Sequence, residues 1–129
     1  MNSRSTLAAA GLFGAIGVGL GAFGAHALRD VLLERGMSNA WETAVRYHLL
    51  HAVALLPIAV WMRQDETTVS RPMAWVATTW VVGIVIFSGS LYGLALGGPR
   101  WLGPITPLGG IFFVVGWALL IVEALGNRK

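Results

Sequence analysis

The sequence predicts an all-α membrane bundle of four helices, and three observations carry that prediction. Of 129 residues, 56% are hydrophobic and only 12% are charged, about half the charged share of a soluble domain. A chain this short buries about two-thirds of its surface even when well folded, so much of the apolar remainder must meet lipid. Four apolar stretches, 7–28, 41–62, 74–96 and 107–125, reach or approach the roughly 20 residues that cross about 30 Å of hydrocarbon. Turn and cap residues fall between them. The length, 129 residues, accommodates a single domain.

The first stretch carries Gly14, Gly17, Gly21 and Gly24 at spacings of three and four, which places them on one helix face. Gly17 and Gly21 form a GxxxG pair of the kind that lets two membrane helices approach closely. Arg4, a long apolar run and Ala25-His26-Ala27 also fit a secretory signal. The run exceeds the usual apolar core of such a signal, so a retained helix is expected. In the second stretch Asn39, three residues before Glu42, fits a capping box. Trp41 and Trp61, about 30 Å apart along a helix, fit interfacial anchors at the two faces.

The third stretch opens on Ser70-Arg71-Pro72, a cap with an early proline, and stops at Gly97-Gly98-Pro99. Gly89, Gly93 and Gly97 make a GxxxGxxxG run beside Ser88 and Ser90. Two glycine faces therefore predict close helix packing, within the chain or across a homo-oligomer. Pro104 and Pro107 bracket the start of the fourth stretch, the shortest of the four. Trp75 and Trp101 lie near helix ends, whereas Trp80 and Trp117 lie within spans and read as packing residues.

Nine basic against six acidic residues give a net charge of +3. The basic residues are scattered and form no stripe interleaved with aromatics, which argues against nucleic acid and for contact with lipid headgroups. Cysteine is absent, which excludes disulfides, thiolate metal sites and cysteine nucleophiles. Four spans put both termini on one side. That side carries Arg4, Arg63, Arg71, Arg128 and Lys129, and the other carries Arg29, Arg35, Arg46 and Arg100. The positive-inside rule counts only these, so the five-to-four split favours cytoplasmic termini.

The second stretch is the most polar. Glu42 and Arg46 are placed to pair at i, i+4, and Tyr47, His48 and His51 follow. Measured from Trp41, His48 lies about 10 Å and His51 about 15 Å along the helix, at membrane depths where ionisable groups are costly and suggest function. His26, near the end of the first helix, belongs to the same leaflet because the connection 29–40 is short. One reading makes the imidazoles neutral and hydrogen-bonded across helices to Ser88, Ser90, Tyr92 or backbone carbonyls. The other gives His26, His48 and His51 a metal, a haem or a proton relay. No cysteine or well-placed carboxylate completes a four-ligand zinc site, so the absence of a cofactor is favoured over metal or haem. Ser88 or Ser90 with a histidine lacks an orienting acid, and no phosphate loop, dinucleotide fingerprint or H-E-x-x-H is present.

Gly21-Ala-Phe-Gly-Ala-His-Ala-Leu28, the Trp41, Ala44, Tyr47-His48 and His51-Ala52 pattern, Phe87-Ser-Gly-Ser-Leu-Tyr92, and Ile105-Thr-Pro-Leu-Gly-Gly110 with Gly116-Trp117 resemble the domain of unknown function 423 family of small, transmembrane protein 256-like membrane proteins. The resemblance covers nearly the whole chain. It implies a four-span inner-membrane protein with its first helix retained, and it implies no activity. The matching positions include His26, Tyr47, His48, His51, Ser88, Ser90, Tyr92 and Pro107. With tiny loops and no catalytic constellation, the leading expectation is a non-enzymatic accessory or assembly partner of a membrane complex. A histidine-based metal, haem or quinone site is the alternative, and a small-molecule transporter is third. The partners expected are the lipid bilayer and either a second copy or another membrane protein.

Overall fold

The computed structural model describes residues 1–64 and 70–126. The chain is all-α, and four helices are long and apolar enough to cross a membrane: Ser3–Ala25, Ser38–Gln64, Arg71–Ala95 and Leu102–Gly126. In chain order the elements are α1 (Ser3–Ala25), a short α2 (Arg29–Glu34), α3 (Ser38–Gln64), α4 (Ser70–Gly83), a π-helical turn (Ile84–Ser88), α5 (Gly89–Ala95) and α6 (Leu102–Gly126). The third span is thus one rod made of α4, the π turn and α5.

Each long helix starts about one turn before its apolar run, and in α1, α3 and α4 that first turn holds polar residues. At α1, Asn2 Oδ1 accepts from the Ser5 backbone N–H at 2.8 Å, while the Asn2 N–H donates to Ser5 Oγ at 2.9 Å, a reciprocal capping box. The box expected at Asn39 and Glu42 does not form. The Trp41 N–H already bonds the Met37 carbonyl at 3.0 Å, so Asn39 lies inside the first turn. α6, whose apolar stretch is the shortest of the four, is itself 25 residues long. Pro104 sits in its first turn, where backbone N–H groups lack intrahelical partners anyway, and Pro107 deletes one further bond. The cap expected at Ser70 falls at the edge of the description, and Arg128 and Lys129 lie outside the described residues.

Two glycines close helices through a left-handed residue. Gly36 (φ 65°) and Gly97 (φ 90°) each allow paired turn bonds: Gly36 to Leu33 and Met37 to Leu32, then Gly97 to Leu94 and Gly98 to Gly93. This satisfies carbonyls that would otherwise end unpaired. The Arg35 guanidinium lies directly over Gly97, where the C-terminal end of α5 carries partial negative charge.

α3 is the central helix. It packs against α1 on one side and against α4, the π turn and α5 on the other, while α6 covers the third span. The larger core joins Leu55, Ile58 and Met62 of α3 to Met73, Val76, Ala77 and Trp80 of α4 and to Phe113 of α6. A smaller one, Leu32, Trp41 and Ala95, seats α2 on the opposite end of the bundle.

Large side chains fit into glycine sockets. A Cβ at Gly17 would overlap Leu49, one at Gly24 the Trp41 indole, one at Gly83 the Phe113 ring, one at Gly109 the Phe87 backbone and one at Gly116 the Trp80 indole. Gly21 meets Val45 at 3.3 Å. Within the chain, the glycine run of the third span offers no continuous packing face. Gly89 faces open space, Gly93 meets only Leu102, and Gly97 serves the turn. Gly14 is also open.

Gly116→Ala is expected to destabilise the protein by about 1–3 kcal/mol through overpacking against Trp80, whereas Gly14→Ala and Gly89→Ala meet no neighbour and are neutral or stabilising by up to about 1 kcal/mol. Chemical unfolding in detergent micelles measures the difference.

Candidate functional site

The polar side chains inside the spans form a layer between the two apolar cores. His48 and His51 project from α3 about 60° apart in projection, and the neighbouring helices turn that angle into two separate environments. His51, 1% exposed, bonds through Nδ1 to the Tyr47 carbonyl at 2.8 Å. Its Nε2 receives the Trp117 indole N–H at 3.1 Å. A carbonyl only accepts and an indole only donates, so the two partners assign a neutral imidazole protonated at Nδ1. The ring stacks on Phe113 with centroids 3.7 Å apart and planes 11° apart, and it meets Trp80 edge-on at 5.6 Å.

His48, 3% exposed, faces the other way. Its Nδ1 shares a hydrogen bond with the Tyr92 hydroxyl of α5 at 3.0 Å, and its ring meets Phe13 of α1 edge-on at 5.7 Å. Nε2 has no hydrogen-bond partner among the described residues. Tyr92 in turn packs its ring against Trp41 at 4.8 Å.

The serines serve the backbone. Ser88, fully buried in the π turn, donates to the Ala44 carbonyl of α3 at 2.8 Å. Ser90 donates to the Phe87 carbonyl at 2.9 Å and pairs with the Thr106 hydroxyl of α6 at 2.6 Å. The π turn widens the rod by one residue and Gly109 admits its backbone closely, so α6 and α3 are both reached from one segment. Among the described residues no serine bonds a histidine, which removes the serine–base arrangement.

His26 does not join this layer. It caps the exposed end of α1, its N–H bonding Ala22 and Phe23 carbonyls, and no three His, Cys, Asp or Glu side chains converge on a metal position among the described residues. Glu42 and Arg46 are exposed and form no ion pair with each other there. Solvent solvates both groups, so pairing gains little.

Tyr47, 40% exposed, stands beside Phe87 and Phe113 at the mouth of a lipid-facing groove of about 570 Å³ that also reaches His51, Pro107 and Trp117. Of the tryptophans expected as anchors, Trp61, Trp75 and Trp101 are exposed. Trp41 is not: it is buried, and its indole N–H donates to the Leu20 carbonyl at 2.9 Å. Trp80 is buried and donates to the Phe113 carbonyl at 3.3 Å, while Trp117 keeps an exposed face. Thr106 and Trp117 are the layer's unexpected members. Their polar atoms within the fourth span were the available signal.

Comparison with known proteins places this geometry in a group. The family model described as "Protein of unknown function (DUF423)" matches residues 20–110. A "UPF0382 membrane protein" of Staphylococcus epidermidis is 45% identical over 108 residues, covering 84% of each chain. The "UPF0382 inner membrane protein YgdD" of Escherichia coli K12 is 40% identical over 130 residues, covering 100% of this chain and 95% of the relative. No solved structure matches.

A double-mutant cycle of His48→Phe and Tyr92→Phe is expected to give a coupling energy of about 0.6 kcal/mol, with an upper bound near 1.7, read from unfolding in micelles. Zero coupling would show that the pair holds nothing together.

Proposed function

Because the chain belongs to the DUF423 family, whose description carries no activity, we propose a role from its surfaces: a non-enzymatic inner-membrane protein that works as an accessory or assembly partner of a larger membrane complex. The observation that carries this reading is the outer face of α1. Its span is the least buried of the four, and its lipid side includes the small residues Ala8, Gly11, Ala15, Gly19 and Ala22. Among the described residues nothing stands in front of Gly11 or Gly19. In lipid, apolar surface alone does not bring helices together; close backbone approach over small residues does. The inner membrane is taken from the name of the Escherichia coli relative. Cytoplasmic termini follow from the basic-residue count, and cysteine accessibility at Asn2→Cys from the two faces of the membrane tests them.

Among the described residues no three His, Cys, Asp or Glu side chains converge to support the metal reading. A quinone beside His51 would find both ring nitrogens already bonded. A transporter gains no supporting feature.

The test is copurification of the tagged protein at native expression level from gently solubilised membranes. A reproducible membrane-protein partner is expected with the parent chain and with the lipid-face control Val114→Leu, and it is lost with Gly11→Leu, which meets no neighbour in the fold. Recovery of nothing reproducible, or of a complex containing this chain alone, would contradict the reading.

A further inference from the structure

A second feature, independent of the α1 face, lies at the end of the bundle away from the termini. The end of α1, the short α2 and the start of α3 enclose a cavity of about 410 Å³, within the ordinary size range of ligand pockets. Its floor is apolar, formed by Gly21, Leu32 and Val45, with the exposed Leu33 at its edge and the Trp41 indole locked in place beneath. Its polar groups are Arg29 from α2 and Ser38, Glu42 and Arg46 from α3. Ser38, Glu42 and Arg46 follow at intervals of four and share one face of α3.

Depth identifies what can reach this cavity. α3 has 27 residues and so extends about 40 Å, against about 30 Å of hydrocarbon. Its first turns therefore lie in the headgroup layer, and Arg46, deeper on the same face, can extend its long side chain outward. A cavity with an apolar floor and a charged rim at this level matches the join between acyl chains and headgroup. Two guanidiniums suit a phosphodiester, which they can bind through paired charge-assisted hydrogen bonds. The carboxylate of Glu42 is the discriminating group. It repels a second anion and accepts hydrogen bonds from a primary ammonium, whereas a quaternary ammonium has no N–H to give.

We propose that the cavity bounded by Arg29, Ser38, Glu42 and Arg46 is a binding site for the headgroup of an ethanolamine phospholipid, with the phosphate between Arg29 and Arg46 and the ammonium on Glu42. The cleft at the opposite edge, lined by Ser3, Arg4 and Arg63, holds guanidiniums but no lining carboxylate among the described residues, so among them the Glu42 site is the one equipped to choose between headgroups.

The experiment is native mass spectrometry of the full chain, delipidated and then offered phosphatidylethanolamine, phosphatidylcholine or phosphatidylglycerol at equal concentration, with inorganic phosphate as competitor. Phosphatidylethanolamine is expected to be retained roughly tenfold more than either other lipid, the effect of about one charge-assisted hydrogen bond, and millimolar phosphate does not displace it. Glu42→Gln abolishes the preference for ethanolamine over choline but leaves phospholipid bound. Arg29→Gln with Arg46→Gln removes the selective site, and Arg46→Lys restores part of it. All these side chains are exposed, and an unchanged thermal unfolding profile verifies each variant's fold. Equal retention of the three lipids, an unaltered preference in Glu42→Gln, or displacement by phosphate alone would overturn the proposal.

Discussion

Hydrocarbon gives a polar side chain no hydrogen-bond partner, and it gives an apolar helix no incentive to leave lipid for another helix. Both constraints meet at His51. Its imidazole takes one bond from its own helix and one from α6, and it lies flat on Phe113 between Trp80 and Trp117. A ring held this way fixes the rotation of α3 relative to α6 even though neither helix gains by hiding apolar surface. His48 with Tyr92, Ser88 with the Ala44 carbonyl and Ser90 with Thr106 extend the principle to the third span. In these pairs a polar group that would be costly in lipid instead ties two helices together.

Close approach supplies the rest. Trp41, Trp80 and Phe113 are too large for a tight helix interface unless the facing helix has no side chain, and Gly24, Gly116 and Gly83 supply those openings. The aromatic ring then brings its own polar edge inside the bundle, and each buried indole finds a carbonyl, Leu20 for Trp41 and Phe113 for Trp80. Packing and hydrogen bonding are thus carried by the same residues. The outer faces of α1 and α6 take no part in this scheme, and they are the surfaces free to meet lipid or another protein.

The four spans were legible because apolar run length reports directly on bilayer thickness, and α1 kept its Gly17, Gly21 and Gly24 face because a helix periodicity is local. The sockets were less legible. Gly83, Gly109 and Gly116 form no motif among themselves; what selects them is an aromatic side chain on a different helix, which no single-helix pattern records. The Gly89–Gly97 run shows the converse, a motif without a facing helix at Gly89. Depth along a helix placed Trp41 at an interface, but depth does not say which way a side chain points, and Trp41 points inward. The same ambiguity grouped His26 with His48 and His51. A shared leaflet is not a shared site, and the short α2 that follows His26 lacked the length to stand out as a pattern of its own.

The arrangement turns on His51, a neutral imidazole that bridges α3 and α6. Nitrogen-15 NMR of histidine-labelled protein in lipid nanodiscs tests it most directly. The account predicts a neutral imidazole at His51 with its proton on Nδ1 and an Nε2 resonance that shifts in Trp117→Phe. A cationic ring, a proton on Nε2, or insensitivity to Trp117 would contradict it.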